Sequence, residues 1–282
     1  AASDVYKRQG LTALSKIAKT YLGVGVEQHS NALGEAKNVE LNVFDGPCPA
    51  GNVGVQVNNI DPVNKGEVVW TVDPASVIFF GRLFLTGKVD LHKKVAVAGS
   101  EMKQTGYANV LVGTPLAAFV EAQLKSTSHV RLINGNPLTG VKTTMADFVG
   151  GHTSEITAIP EGDDCDEMLG WILPRTDQFS TSRSYLSWLF GKKKEYNLDA
   201  RVKGGERHMI MSGEYDQVLP MDIFGEYLIK AIIAGDIDKQ EQLGIYEVSP
   251  EDFAVAEFVD SSKLELQKIV RDGLNILRKE NA

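Results

Sequence analysis

The sequence predicts a mixed α/β protein assembled from several modules. Three observations carry this: an N-terminal stretch where helical spacing gives way to short β segments between Gly/Pro turns, a central stretch patterned strand, strand, helix, strand, and a C-terminal stretch of amphipathic helices. With 282 residues, 43% of them hydrophobic, the chain can bury at least one sizeable core.

The chain opens without Met, and Asp4-Val5-Tyr6-Lys7-Arg8-Gln9 is what the mosaic-end adapter of transposase-made sequencing libraries encodes in frame. Residues 1–9 are therefore expected to be non-native and to stand outside the fold. Leu11 to Leu22 has helical spacing at Leu14, Ile17, Ala18 and Tyr21, and Val39 to Val43 reads as a strand. Asn42-Val43-Phe44-Asp45-Gly46-Pro47-Cys48-Pro49-Ala50-Gly51-Asn52-Val53-Gly54 follows, then Asn58 to Val63 and Val68 to Val72. This reads as strand, turn, strand, turn, strand, with fixed-φ and positive-φ residues in order. Asp73-Pro74 starts a capped helix that runs through Phe84 and ends near Gly87.

Lys94 to Gly99 and Tyr107 to Val112 read as strands, Thr114 to Val120 as a helix with Thr114 as cap and Pro115 in its first turn, and Val130 to Ile133 as a closing strand. Two strands, a helix and a closing strand make a β-grasp. Thr153 to Trp171 reads as a β-hairpin across the acidic turn Glu161-Gly162-Asp163-Asp164-Cys165-Asp166. Beyond it, Met221 to Ala234 carries a wide apolar stripe and stops at Gly235. Ser249-Pro250-Glu251-Asp252 starts another helix, and Lys263 to Lys279 repeats apolar positions at Leu266, Ile269, Val270, Leu274 and Leu277.

A formal net charge of −8 gives no general attraction to nucleic acid or to an anionic membrane surface. No apolar run approaches the roughly 20 residues of a membrane span. Two cysteines, Cys48 and Cys165, rule out a disulfide framework and fit a reducing compartment.

The Asn42 to Gly54 segment, with Gly81-Arg82-Leu83-Phe84-Leu85-Thr86-Gly87, Val95-Ala96-Val97-Ala98-Gly99, Gly135-Asn136-Pro137-Leu138-Thr139-Gly140, Leu169-Gly170-Trp171-Ile172, Gly204-Gly205-Glu206-Arg207 and Leu219-Pro220-Met221-Asp222-Ile223, resembles the NqrA family of the sodium-translocating NADH:quinone reductase. That complex is the respiratory sodium pump of bacterial inner membranes. The resemblance runs from about residue 10 to the end and implies four parts: residues 10–90 the remnant of a Rossmann-like α/β domain whose start is absent, 91–145 a β-grasp like the soluble-ligand-binding (SLBB) module, 146–203 a β-hairpin and connecting segment, and 204–282 a helical, degenerate ferredoxin-like domain. It also implies a peripheral subunit on the cytoplasmic side of the inner membrane. Its partners would be the other pump subunits, especially the membrane-embedded NqrB, with quinone as a candidate ligand. NADH, flavins, iron–sulfur and quinone chemistry would belong to the other subunits. A competing reading is a soluble-ligand-binding β-grasp module or scaffold outside a sodium pump.

The related subunit of the Rnf complex holds clusters with cysteines at Cys-x2-Cys-x2-Cys-x3-Cys spacing. Laid over this chain, that spacing falls on Ser249, Asp252, Val255 and Val259, none of them cysteine. No catalytic, cofactor or metal residue is expected. Gly135 to Thr143 misses a phosphate-binding loop because Val141 separates the glycine from Lys142, and Gly23 to Gln28 lacks the third glycine of a dinucleotide fingerprint. His29, His92, His129, His152 and His208 show no metal-ligand spacing. Cys48 reads as a small buried or loop residue, and Gly204 to Arg207 as a tight turn.

One segment points to docking. Tyr185, Leu186, Trp188, Leu189 and Phe190 precede Lys192, Lys193 and Lys194, so apolar groups stand beside a basic cluster, with Ser180 or Ser182 as helix cap. The alternative is that these side chains fill the protein's own core.

Overall fold

The computed structural model describes residues 2–28, 36–164, 172–180, 185–190 and 195–281. They form two compact units, one of residues 1–91 with 204–282 and one of residues 92–203.

The first unit begins with helix α1 (Ala2–Ser15), a parallel strand pair β1 (Tyr21–Gly25) and β2 (Glu40–Phe44), and helices α2 (Val53–Ile60) and α3 (Pro74–Thr86). Helices α1 and α3 approach at two glycines. A Cβ on Gly81 would lie 1.9 Å from the Tyr6 carbonyl oxygen, and one on Gly10 would lie 2.1 Å from that of Val77. Only glycine admits backbones this close. The expectation that residues 1–9 stand outside the fold is corrected accordingly: residues 2–9 form the first turns of α1, although its fully buried positions start at Gly10 and Leu11.

The helix read over Leu11 to Leu22 ends at Ser15. Gly23 and Gly25 are poor helix formers, Ile17 is exposed, and Val24 is buried in the strand pair opposite Val43. The segment read as a second strand is a helix: α2 has Asn52 as its cap position and buries Val55 and Asn58, three residues apart. The alternating Val53, Val55 and Val57 mimic a strand, and tertiary contacts override them. Gly54 lies on Asp252, whose Oδ2 would be 2.2 Å from a Cβ, Asn52 Nδ2 donates to the Glu251 carbonyl (3.0 Å), and Asn58 Nδ2 donates to Glu247 Oε2 (2.8 Å). Val68 to Val72 lies outside any strand ladder and is exposed. Helix α3 follows the sequence signals. Asp73 accepts from the Ala75 and Ser76 amides at 2.9 and 3.0 Å, and Gly87 ends the helix at φ 68°.

The second unit is a β-grasp. Strands β3 (His92–Ala98) and β4 (Gly106–Leu111) form a hairpin, helix α4 (Ala117–Val120) crosses over, and β5 (Val130–Asn134), β6 (Val141–Thr143) and β7 (Glu155–Pro160) complete the sheet. Among the described residues the order is β4-β3-β7-β5-β6, with β3 and β7 parallel and the other pairs antiparallel. Leu116 and Val120 pack on Val95, Val97 and Ile156 to make the core. The hairpin read over Thr153 to Trp171 is described only in its first part. Its first arm is β7, the central strand, whose run Ile156-Thr157-Ala158 is buried on both faces. The β-grasp therefore extends past residue 145 into the segment read as a connector. The second arm of that hairpin lies outside the described residues.

The first unit resumes with α5 (Gly225–Ala234), α6 (Ile237–Gln242), α7 (Ala254–Val259) and α8 (Leu266–Glu280). Leu228, Ile229, Ile245, Phe253, Leu266 and Val270 form its core, and Gly235 stops α5 at φ 69° as read from the sequence. Buried carboxylates pin the connecting loops. Asp260 accepts from the Ser262 and Leu264 amides (3.0 and 2.8 Å), Glu226 from those of Ser212 and Gly213 (3.1 and 2.6 Å), and Asp252 from that of Ser249 (2.8 Å). Ser249 and Asp252 thus cap a 3₁₀ turn, Pro250–Phe253, that runs into α7 with Val255 and Val259.

Candidate functional site

The segment read as a docking surface forms a single 3₁₀ turn, Leu186–Phe190, shorter than the amphipathic helix expected. The Leu186 amide donates to the Pro174 carbonyl (3.2 Å), and Arg175 lies 5.7 Å from the centroid of the Tyr185 ring while donating to Gln178 (2.6 Å). Ser187 is buried within the turn. Leu186, Trp188, Leu189 and Phe190 are 46%, 49%, 59% and 62% exposed, which argues against their filling a core. At three residues per turn Leu186 and Leu189 share a side. Ser182, Lys192, Lys193 and Lys194 lie outside the described residues.

A second polar group gathers at one end of the β-grasp sheet. Arg131 clamps Glu161 through Nε to Oε2 (2.7 Å) and Nη2 to Oε1 (2.5 Å), and Lys142 Nζ reaches Oε1 at 3.3 Å. The Arg131 hydrogen bonds, with help from Lys142, hold the Glu161 carboxyl down to about 2. Beside it His129 Nδ1 lies 2.8 Å from Asp163 Oδ1, and this bond raises the imidazole above its ordinary value. His129, Asp163 and Asp164 bring ligand atoms within 4.8 Å of one another, the one such group among the described residues. All three are exposed, and an exposed His–carboxylate pair forms without an ion. Sequence reading missed the group because 34 residues separate His129 from Asp163, and only the pairing of β5 with β7 unites them.

The other sequence candidates take structural places. Asn136 Oδ1 accepts from the Leu138 and Thr139 amides, which makes Gly135 to Gly140 an Asx turn into β6 rather than a phosphate cradle. Gly23 packs against Gln56. Cys48 is an exposed loop residue. The Arg207 amide donates to the Ser262 carbonyl (2.9 Å), so the Gly204 to Arg207 turn runs against the loop before α8.

Two family models match this architecture: the NqrA second alpha/beta domain over residues 2–89 and the NQRA C-terminal domain, of SLBB type, over residues 94–145. The chain carries two NqrA-type domains. It is 33% identical over 281 residues to the NqrA subunit of the Na(+)-translocating NADH-quinone reductase of Neisseria meningitidis serogroup B (strain ATCC BAA-335 / MC58), covering 99% of this chain and 62% of that relative. It is 34% identical over 272 residues to the corresponding subunit of Vibrio atlanticus (strain LGP32), covering 96% and 60%. The chain thus spans about three fifths of the length of these curated relatives. The SLBB match stops at residue 145, short of β7, although β7 lies between β3 and β5 in the sheet.

Proposed function

We propose that this chain is the NqrA component of a Na⁺-translocating NADH:quinone oxidoreductase, taking part in electron transfer from NADH to quinone coupled to sodium export while carrying no redox centre of its own. The observation that carries the reading is identity of about one third to such subunits along nearly the whole chain, together with two NqrA domains. The bundle supports it: at the spacing where a related redox subunit holds clusters, this chain has Ser249, Asp252, Val255 and Val259, and two of these cap a turn. NADH, flavin, iron–sulfur and quinone chemistry then falls to other subunits.

The subunit is peripheral in this reading. No helix among the described residues is long and apolar enough to cross a membrane. Tyr185, Leu186, Trp188, Leu189 and Phe190 dock against the membrane-embedded NqrB or the adjoining cytoplasmic leaflet, with Lys192, Lys193 and Lys194 adding roughly 1 kcal/mol each near anionic lipid. The exposure of the four apolar side chains supports this. In the assembled complex, replacing Trp188 and Phe190 with polar residues releases the subunit from membranes and leaves its thermal midpoint within error. A variant that stays folded and attached removes the docking assignment, and one that unfolds returns these side chains to the core. Failure of the native subunit to co-purify with hydrophobic partners removes the pump reading itself.

A further inference from the structure

Strand β4 is the outer strand of the β-grasp sheet and has a neighbour on one side only among the described residues. Natural sheets protect such edges with lysine, proline, a bulge or short length. The opposite edge does so: β6 has three residues with Lys142 in the middle. Strand β4 does not. Gly106-Tyr107-Ala108-Asn109-Val110-Leu111 is six residues long, uncharged and free of proline.

Alongside this strand opens a cleft of about 330 Å³, floored by Val97, Ala108 and Phe119 and rimmed by Gln104, Thr105 and Gln123. At the rim the Lys103 amide donates to the Gln123 carbonyl (2.7 Å), and Lys103 Nζ donates to that of Ala122 (3.2 Å). An exposed edge supplies main-chain hydrogen bonds to an added strand, and a pocket beside it accepts alternate side chains. Charge narrows the choice of strand. Residues 92–111 hold Lys93, Lys94 and Lys103 against the single acid Glu101, in a chain of net charge −8, and Lys94 and Lys103 are exposed.

We propose that β4 is a docking strand for an extended segment of a partner protein, which pairs with its free edge, seats an apolar side chain in the cleft and carries carboxylates beside Lys94 and Lys103. This interface is independent of the Leu186–Phe190 surface and stands or falls without it.

The test uses the full chain and a fluorescein-labelled probe peptide, Asp-Val-Ile-Val-Leu-Val-Asp, read by anisotropy. Saturable binding is expected. N-methylation of every second amide on one edge of the peptide should weaken it about tenfold or more through lost hydrogen bonds, while methylation on the other edge leaves it unchanged. Exchanging both terminal aspartates for lysine should also weaken binding, and Ala108→Trp, which fills the cleft, should abolish it at an unchanged thermal midpoint. The proposal is overturned by absence of saturable binding, by equal effects of the two methylation patterns, or by unchanged binding to a folded Ala108→Trp chain. The methylation series needs no protein variant, so it decides the matter even where Ala108→Trp does not fold.

Discussion

In the helical part of the first unit three carboxylates, Glu226, Asp252 and Asp260, are buried and accept from backbone amides, whereas Glu161 at the end of the β-grasp sheet is answered by cations. Asp260 is 1% exposed and bonded to two loop amides. Glu161 sits partly in solvent under Arg131 and Lys142. A buried carboxylate holding amides fixes a loop conformation, and losing it leaves donors unsatisfied away from water. A rim ion pair fixes little and is screened. The bundle therefore gains loop order from the carboxylate caps themselves, while the β-grasp gains its order from strand pairing and from the apolar core under α4.

The sharpest way to break this contrast is a pair of truncations. Asp260→Ala should cost the first unit about 3 kcal/mol, since two buried amides lose a charged acceptor. Glu161→Ala should cost the second unit at most about 1 kcal/mol. Hydrogen exchange of α8 and β7 amides reads the two units separately, and equal losses would erase the distinction.

A smaller effect lies in the pH dependence. Arg131, aided by Lys142, places the folded pKa of Glu161 at about 2, below its ordinary value near 4.5. Its contribution is thus present above pH 4.5 and lost as pH falls towards 2. In the bundle, burial raises the carboxyl of Glu257, so its sign is opposite: what it contributes is present at low pH and is lost as pH rises through the folded value. His129, raised by Asp163, contributes below its ordinary value of 6.5 and loses that contribution as pH rises through the raised one. Glu161→Gln should flatten the acid limb of β7 exchange between pH 4.5 and 2 while leaving α8 untouched, and Asp163→Asn should return the His129 titration, followed by NMR, to its ordinary position. An acid limb that Glu161→Gln leaves in place would assign it to other groups.

What the sequence disclosed follows the range of the forces involved. Helix α3 was legible through Asp73, Pro74 and Gly87 because caps act within one turn. Strands β3, β4 and β5 and the stop at Gly235 were legible for the same local reason. Helix α2 reads as a strand because its valines alternate, and the contacts of Asn52, Gly54 and Asn58 that decide otherwise are made to residues 189 to 199 positions away. The central place of β7 depends on pairing with β3, nearly 60 residues earlier in the chain, which no local pattern carries. Of the docking segment the composition was legible, while the length of the turn was not.

The smallest effect expected concerns the N-terminal half of α1, where the coding pattern and the structure pull in different directions. The structure packs Tyr6 on Gly81 and brings Arg82 within 5.7 Å of its ring, yet no described side chain before Gly10 is fully buried. Leu11, 4% exposed, is the anchor of the helix, and it survives removal of residues 1–9. The deletion therefore sacrifices partial contacts and some helix length, for an expected loss of about 1 kcal/mol in the first unit, or a few degrees in thermal midpoint. An unchanged midpoint would mean that an adapter-like segment merely continues a helix begun by native residues. A loss above about 3 kcal/mol would place Tyr6 among the core positions and remove the grounds for separating residues 1–9 from the rest of the fold.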